Sequence, residues 1–374
     1  MMLFPYTYVP HQMEKMQEFI DFIFFEVWCK APTAGPFGLH LFDSNIELRE
    51  VMEAFYYSDK KNADFFYGHV ERIYRGFCKL NLKQTRRLKW WYCSNNDIEQ
   101  LCANYSGGHA TRHSDIESKF PTIAGDIRSF FIGLYDFDAS AMKKKTGDID
   151  DHYKKFVHTN NSGTCPFCGI SDLLGENHTK REAYDHYMPK AIYPFNSINF
   201  RNLVPACHHC NSSYKSSKNT AFTPKDPCGL QIRRKVFYPF STQPYSISLQ
   251  VMIQHADHEK LTTADIGLSF GPPELDEQIA TWKDIYGIEE RYRAKLCSPD
   301  AKAWVVEVLD EWRWHKESAG ADGKSPEAYL RAVSRHTEKS PYTNENFLKD
   351  GFLQAFKAAG AFEDTANVRD ASDR

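Results

Sequence analysis

Two CxxC pairs, Cys165-Pro-Phe-Cys168 and Cys207-His-His-Cys210, constrain this chain more than any other feature. Each pair can offer two thiolates to one ion through a tight turn, and two pairs complete a tetrahedral set. Gly169, directly after the first pair, supplies the backbone freedom such a turn needs. A redox CxxC would stand as a single pair near a βαβ unit, so a structural zinc site is the expectation. Its ion would lock both ends of the segment 169–206 and couple metal binding to folding. The other six cysteines (Cys29, Cys78, Cys93, Cys102, Cys228 and Cys297) follow no pattern and read as buried free thiols.

The 374 residues, 42% hydrophobic and 14% aromatic, suffice for a sizeable core in two domains or in one with an inserted module. The net charge of −3 excludes a chain that binds polyanions by bulk composition, so a nucleic-acid surface has to be local. Between Lys180 and Lys235, ten lysines and arginines face three carboxylates, a local excess suited to neutralising phosphates. Met1–Pro10 has no basic residue ahead of an apolar run, which argues against a secretory signal. Phe19 to Trp28, the most apolar stretch, is interrupted by Asp21 and Glu26 and falls short of the roughly 20 residues of a spanning helix. A cytoplasmic protein without a membrane partner is therefore expected.

Helical periodicity predicts an N-terminal helical region over 1–142. Phe19, Ile20, Ile23, Phe24, Val27 and Trp28 form one stripe, and further helices are expected near 45–58, 62–80, 86–104 and 121–134. Arg72, Arg75, Lys79, Lys83, Arg86, Arg87 and Lys89 interleave with Tyr74, Phe77, Trp90 and Trp91. That stretch reads either as a phosphate groove or as a solvated helix face with a buried back. The polar segment 143–164 reads as a linker or loop. Beyond the central module (165–240), Tyr245 to Ile253 alternates as a half-buried strand with a partner near Ile266 to Phe270. The region 241–359 then continues in helices, two of them opened by Ser298-Pro299 and Ser325-Pro326. The residues 360–374 read as a flexible tail.

Between and beside the cysteine pairs stand Asp185-His186-Tyr187-Met188-Pro189-Lys190 and Asn202-Leu203-Val204-Pro205-Ala206, with Asn211 directly after Cys210. Asp185 offers a hard carboxylate oxygen and Asn211 an amide oxygen to a cation such as Mg²⁺. His186, with an ordinary pKa near neutrality, is the natural general base for activating a water. These residue types suit phosphodiester hydrolysis, which needs a deprotonated water and positive charge on the leaving oxygen.

The segment Cys165 to Lys218 resembles the HNH endonuclease family in its zinc-supported ββα-metal form. There an Asp-His-x-x-Pro strand precedes Asn-Leu-(x)3-Cys-x-x-Cys-Asn. The resemblance implies that His186 is the general base, that Asp185 and Asn211 hold the catalytic metal, and that Asn202 braces the loop and orients the histidine. Asn211 stands where the family's name-giving last histidine would be, which favours a hard cation, Mg²⁺ or Mn²⁺. Lys190, Lys215 and Lys218 are expected to contact phosphates, and His208 and His209 to point outward between the zinc cysteines.

The expected fold is α+β, a central zinc-stabilised ββα module flanked by mainly helical regions with a short antiparallel sheet. The expected function is metal-dependent cleavage of DNA, leaving 5′-phosphate and 3′-hydroxyl ends as the family does. The resemblance extends to nuclease components of bacterial anti-phage or restriction systems, which implies restraint by a partner such as an ATPase. Two alternatives stay open: a zinc-supported nucleic-acid-binding module without cleavage activity, and an RNA-directed nuclease.

Overall fold

The apolar stripe at the N-terminal end folds as the helix Lys15–Phe22 and a π-helical continuation, Ile23–Trp28. All six stripe residues are buried. They seed the core of a unit formed by 4–161 and 173–243. The computed structural model describes residues 6–160, 163–319, 325–341 and 343–363. It is an α+β protein, mostly helical, with two small antiparallel sheets. Among the described residues no helix is long and apolar enough to cross a membrane.

In this first unit the helices Ile46–Tyr56, Lys61–Phe77 and Pro121–Tyr135 fall where periodicity predicts them, while the single helix expected near 86–104 is two, Leu82–Asn96 and Ile98–Cys102, parted at Asp97. Phe24 stacks on Tyr92 with ring centroids 3.9 Å apart, and Trp28 Nε1 donates to Val70 O at 3.0 Å. Phe195 and Ile198 join the same core, so the loop carrying them is anchored on the helices. Asn96 Nδ2 adds a bond to Phe195 O (3.2 Å), and Asn196 Nδ2 bonds Asn95 O (3.2 Å).

The stretch 143–164, expected to be a linker or loop, is instead largely helical. The helix Ser140–Thr146 runs into it and Ile149–Thr159 fills most of it. Asp148 caps the second helix by accepting from Asp150 N at 2.8 Å. His152, Tyr153, Phe156 and Val157 then bury one face at helical spacing.

Strand β1 (Tyr184–His186) pairs with β2 (Leu203–Pro205) antiparallel, with Asp185 opposite Val204 and His186 opposite Leu203. A short π-helical segment, His209–Lys215, follows β2.

The second unit comprises 162–172 and 244–374. Its hairpin joins β3 (Ser248–Ile253) to β4 (Ile266–Gly271), close to the alternating stretch in the sequence. The helix Asn346–Ala358 packs on β3. At Gly351 a Cβ would approach Val251 Cγ2 to 2.9 Å, so only glycine allows this helix to lie so close. The helices Pro299–Ala319 and Pro326–Lys339 start at the two prolines, and Ser298 Oγ and Ser325 Oγ accept from Ala301 N and Ala328 N, both at 3.3 Å. The tail expected from 360 does not begin there: Phe362 is buried against Trp312, and the residues beyond 363 lie outside the described ones.

Candidate functional site

Cys165 N donates to Ser171 O at 2.8 Å and Gly169 N to Cys165 O at 2.7 Å, closing the first CxxC turn. Gly169 has φ +68°, the left-handed conformation anticipated for it. The knuckle is held from behind: Trp282 Nε1 donates to Phe167 O (2.6 Å), Tyr292 OH to Cys168 O (2.8 Å), and Phe167 stacks on Tyr286. In the second pair, Cys210 N lies 3.4 Å from Cys207 Sγ.

All four thiols are buried, and their sulfur atoms lie within 4.8 Å of one another. Four ligands about 2.3 Å from a tetrahedral zinc lie roughly 3.8 Å apart, so this donor set fits zinc. His208 and His209 between the second pair are exposed, as expected. Of the six scattered cysteines, Cys102 is buried and Cys29 and Cys297 are half-buried. Cys78, Cys93 and Cys228 are exposed, contrary to the expectation of buried thiols.

Asp185 is 2% exposed. Its Oδ1 forms a buried ion pair with Lys215 Nζ at 2.7 Å, and the same Nζ donates to His186 O at 2.7 Å. Asp185 Oδ2 is buried with no hydrogen-bond partner among the described residues. Burial pushes this carboxyl up from its ordinary pKa, and the Lys215 charge pulls it back. An unpartnered carboxylate oxygen in such a place suits a hard cation. Lys215, expected to touch phosphates, is only 1% exposed and turned onto Asp185, so it does not present its charge to a backbone.

His186 is half-buried, and its Nε2 lies 2.9 Å from Ser197 O. A carbonyl only accepts, so Nε2 carries the proton and, in the neutral ring, Nδ1 carries the lone pair. Tyr135 packs edge-on against the imidazole, with centroids 4.4 Å apart. Burial, then the charge of Lys190, pushes the His186 pKa down to about 3, and the Ser197 carbonyl opposes the shift.

Asn202 is fully buried and fastens the loop between β1 and β2. Its Oδ1 accepts from Met188 N (2.7 Å), while Nδ2 donates to Met188 O (3.0 Å), Asn196 O and Asn196 Oδ1 (both 3.2 Å). Tyr187 N donates to Asn202 O at 2.9 Å. Asn202 therefore holds the neighbours of both ends of the His186–Ser197 bond, Tyr187 through its backbone carbonyl and Asn196 through its amide.

Asn211 is half-buried in the segment His209–Lys215, with its backbone N bonded to Cys207 O at 3.0 Å. Lys190 pairs with Asp136 at 3.2 Å and lies over the Tyr135 ring, and Lys218 is exposed. In the basic-aromatic stretch, Tyr74, Phe77 and Trp91 are core residues, while Arg72 and Arg75 pair with Asp126 and Glu71. Its back is buried, while Trp90, Lys83, Arg86 and Arg87 stand exposed on the outer face. Ser197, Tyr135 and the pairing role of Lys215 carry no pattern in the sequence; a backbone acceptor in a loop has none to carry.

Compared with known proteins, the chain matches no protein-family model, no curated protein and no solved structure.

Proposed function

We propose that this chain is a metal-dependent nuclease that hydrolyses phosphodiester bonds, with His186 as general base. The observation that carries the reading is the His186 Nε2–Ser197 O bond, which leaves Nδ1 as the ring's proton acceptor. Asn202 and Tyr135 hold the ring and its acceptor in register, and His186 Nδ1 would take the proton of the attacking water. Asp185 Oδ2 and the Asn211 amide would hold a Mg²⁺ or Mn²⁺ ion, which when bound supplies positive charge to the leaving oxygen. The four cysteines would hold a structural zinc. DNA is the proposed substrate. The motif order, resembling that of HNH endonucleases, adds to this reading.

A second reading has its own observation. The ion pair of Lys215 with Asp185 occupies one oxygen of the metal-binding carboxylate, as it would in a zinc-supported binding module that no longer cuts.

Plasmid nicking by purified protein in Mg²⁺ or Mn²⁺ separates the two. Wild type is expected to nick, and His186→Ala to fall by roughly 10²- to 10⁴-fold. Equal nicking by both removes His186 from the chemistry. No nicking by either, with nucleic acid still bound, favours the binding module. Competition among duplex DNA, single-stranded DNA and RNA identifies the preferred polymer.

A further inference from the structure

An open cleft of about 690 Å³ lies in the unit that carries β1 and β2, lined by Arg112, His113, Arg128, Ser217, Asn219 and Lys225 among others. Arg128 stands exposed on the helix Pro121–Tyr135, and Lys225 on a loop closed by the Phe222–Arg233 bridge. Neither cation has an ion pair or hydrogen bond among the described residues. Among the described residues no carboxylate lines the cleft. The cavity of about 290 Å³ beside Tyr135 in the same unit differs: three carboxylates, Asp136, Asp138 and Asp148, line it together with Lys143 and Arg181, and Lys143 pairs with Asp148.

The walls of the cleft follow the proposed catalytic residues along the chain. Ala191 and Ile192 follow the Asp185-His186 strand, and Ile192 O accepts from His113 N at 2.8 Å. Ser217 and Asn219 follow the segment that carries Asn211 and Lys215. Tyr193 OH donates to Asn219 Oδ1 at 2.8 Å and ties these two walls together. Arg112 is positioned by Asp115 and by Gln231 Oε1 (3.2 Å), with its guanidinium over the Phe222 ring.

We propose that this cleft is the track for a polynucleotide's phosphate backbone, with Arg128 and Lys225 as two phosphate contacts and Arg112, held by Asp115, as a third. The inference rests on the nuclease reading for its substrate class, and it moves backbone recognition from Lys215 to residues outside the Cys165 to Lys218 motif. Two unpaired cations and a third held in place by Asp115 make a set suited to sequence-independent backbone binding.

The test measures binding apart from cutting. His186→Ala protein, without divalent metal, is titrated into a fluorescein-labelled DNA duplex, a labelled DNA single strand and a labelled RNA strand, at several salt concentrations. Adding Arg128→Ala and Lys225→Ala is expected to weaken binding by about tenfold and to make the salt slope shallower by about 1.8, at roughly 0.9 per lost contact. A matched pair, Arg72→Ala with Arg75→Ala, is expected to change neither. Unchanged affinity and slope in the cleft variant, or no binding to any probe, overturns the cleft while plasmid nicking by wild type would still stand. Lost binding in the cleft variant, with no nicking by wild type, sustains the cleft and sinks the nuclease instead.

Discussion

Lys215 Nζ lies 2.7 Å from Asp185 Oδ1 in a pair whose side chains are both almost wholly buried, and the other carboxylate oxygen has no partner among the described residues. Removing one member of such a pair strands the other's charge, whereas removing both does not. We expect Lys215→Met to cost about 3 to 5 kcal/mol of unfolding free energy, and Asp185→Asn with Lys215→Met to cost clearly less. Urea denaturation of the two single variants and the double variant measures the coupling directly. If Lys215→Met is as costly with Asp185→Asn as without it, the pair is not what holds this site.

The same relationship predicts a metal effect. With the ammonium gone, Asp185 has both oxygens to offer, so Mg²⁺ should raise the melting temperature of Lys215→Met more than that of wild type. Thermal melts with and without Mg²⁺ check this, with Ca²⁺ as a second hard cation. An equal Mg²⁺ response in the two proteins would argue against Asp185 as a ligand.

Asn202 acts on the histidine through backbone. Truncating it leaves Met188 N–H and C=O buried without their partners, at about 1 to 3 kcal/mol for each unsatisfied group. We expect Asn202→Ala to lose about 3 kcal/mol of stability and, in whatever remains folded, to lower kcat far more than to raise KM. A stability loss without that kinetic split would leave Asn202 a purely structural residue.

How far the sequence reveals this arrangement follows from the kind of signal each residue leaves. The CxxC pairs are legible because two residues three apart share one turn, and Asp185-His186 because adjacent residues share one strand. The stripe at Phe19 to Trp28 is legible because burial follows helical period. The helix Ile149–Thr159 is obscured by its polar face of Asp150, Asp151, Lys154 and Lys155, although the capping Asp148 and the His152, Tyr153, Phe156 spacing are present. Ser197 contributes a backbone carbonyl, Tyr135 arrives from another helix, and Lys215 turns inward to meet a carboxylate. None of these is encoded locally, because each depends on which segments fold together.

The cysteines make a prediction in two phases. Cys78, Cys93 and Cys228 are exposed, while the four clustered thiols are buried. A thiol-reactive dye should label those three first, with Cys93 slowed because desolvation by its neighbours raises its pKa. The clustered four should react only after a strong chelator is added. Elemental analysis should find about one zinc per chain, and chelation should destabilise the protein, since thiolate coordination contributes to folding. Early labelling of Cys165 or Cys210 in protein prepared without chelator would undo the zinc assignment.

His152 gives the pH dependence. It is buried between His11 and Tyr184, with Lys155 on its own helix adding positive charge, and its pKa falls to about 4, first through burial and then through His11. Its Nε2 faces Val9 O and therefore donates, which leaves Nδ1 to accept from the Tyr184 hydroxyl. Both bonds suit the neutral ring. Because the folded value lies below the ordinary 6.5, the unfolded chain binds the extra proton between the two pKa values. The stability His152 contributes is therefore complete above pH 6.5 and is lost as the pH falls toward about 4. The shift corresponds to on the order of 2 kcal/mol once partial solvent screening is allowed for. Urea midpoints across that window should drop for wild type and drop less for His152→Gln, whose amide can keep a donor toward Val9. Parallel curves for the two proteins would assign the acid sensitivity to other groups.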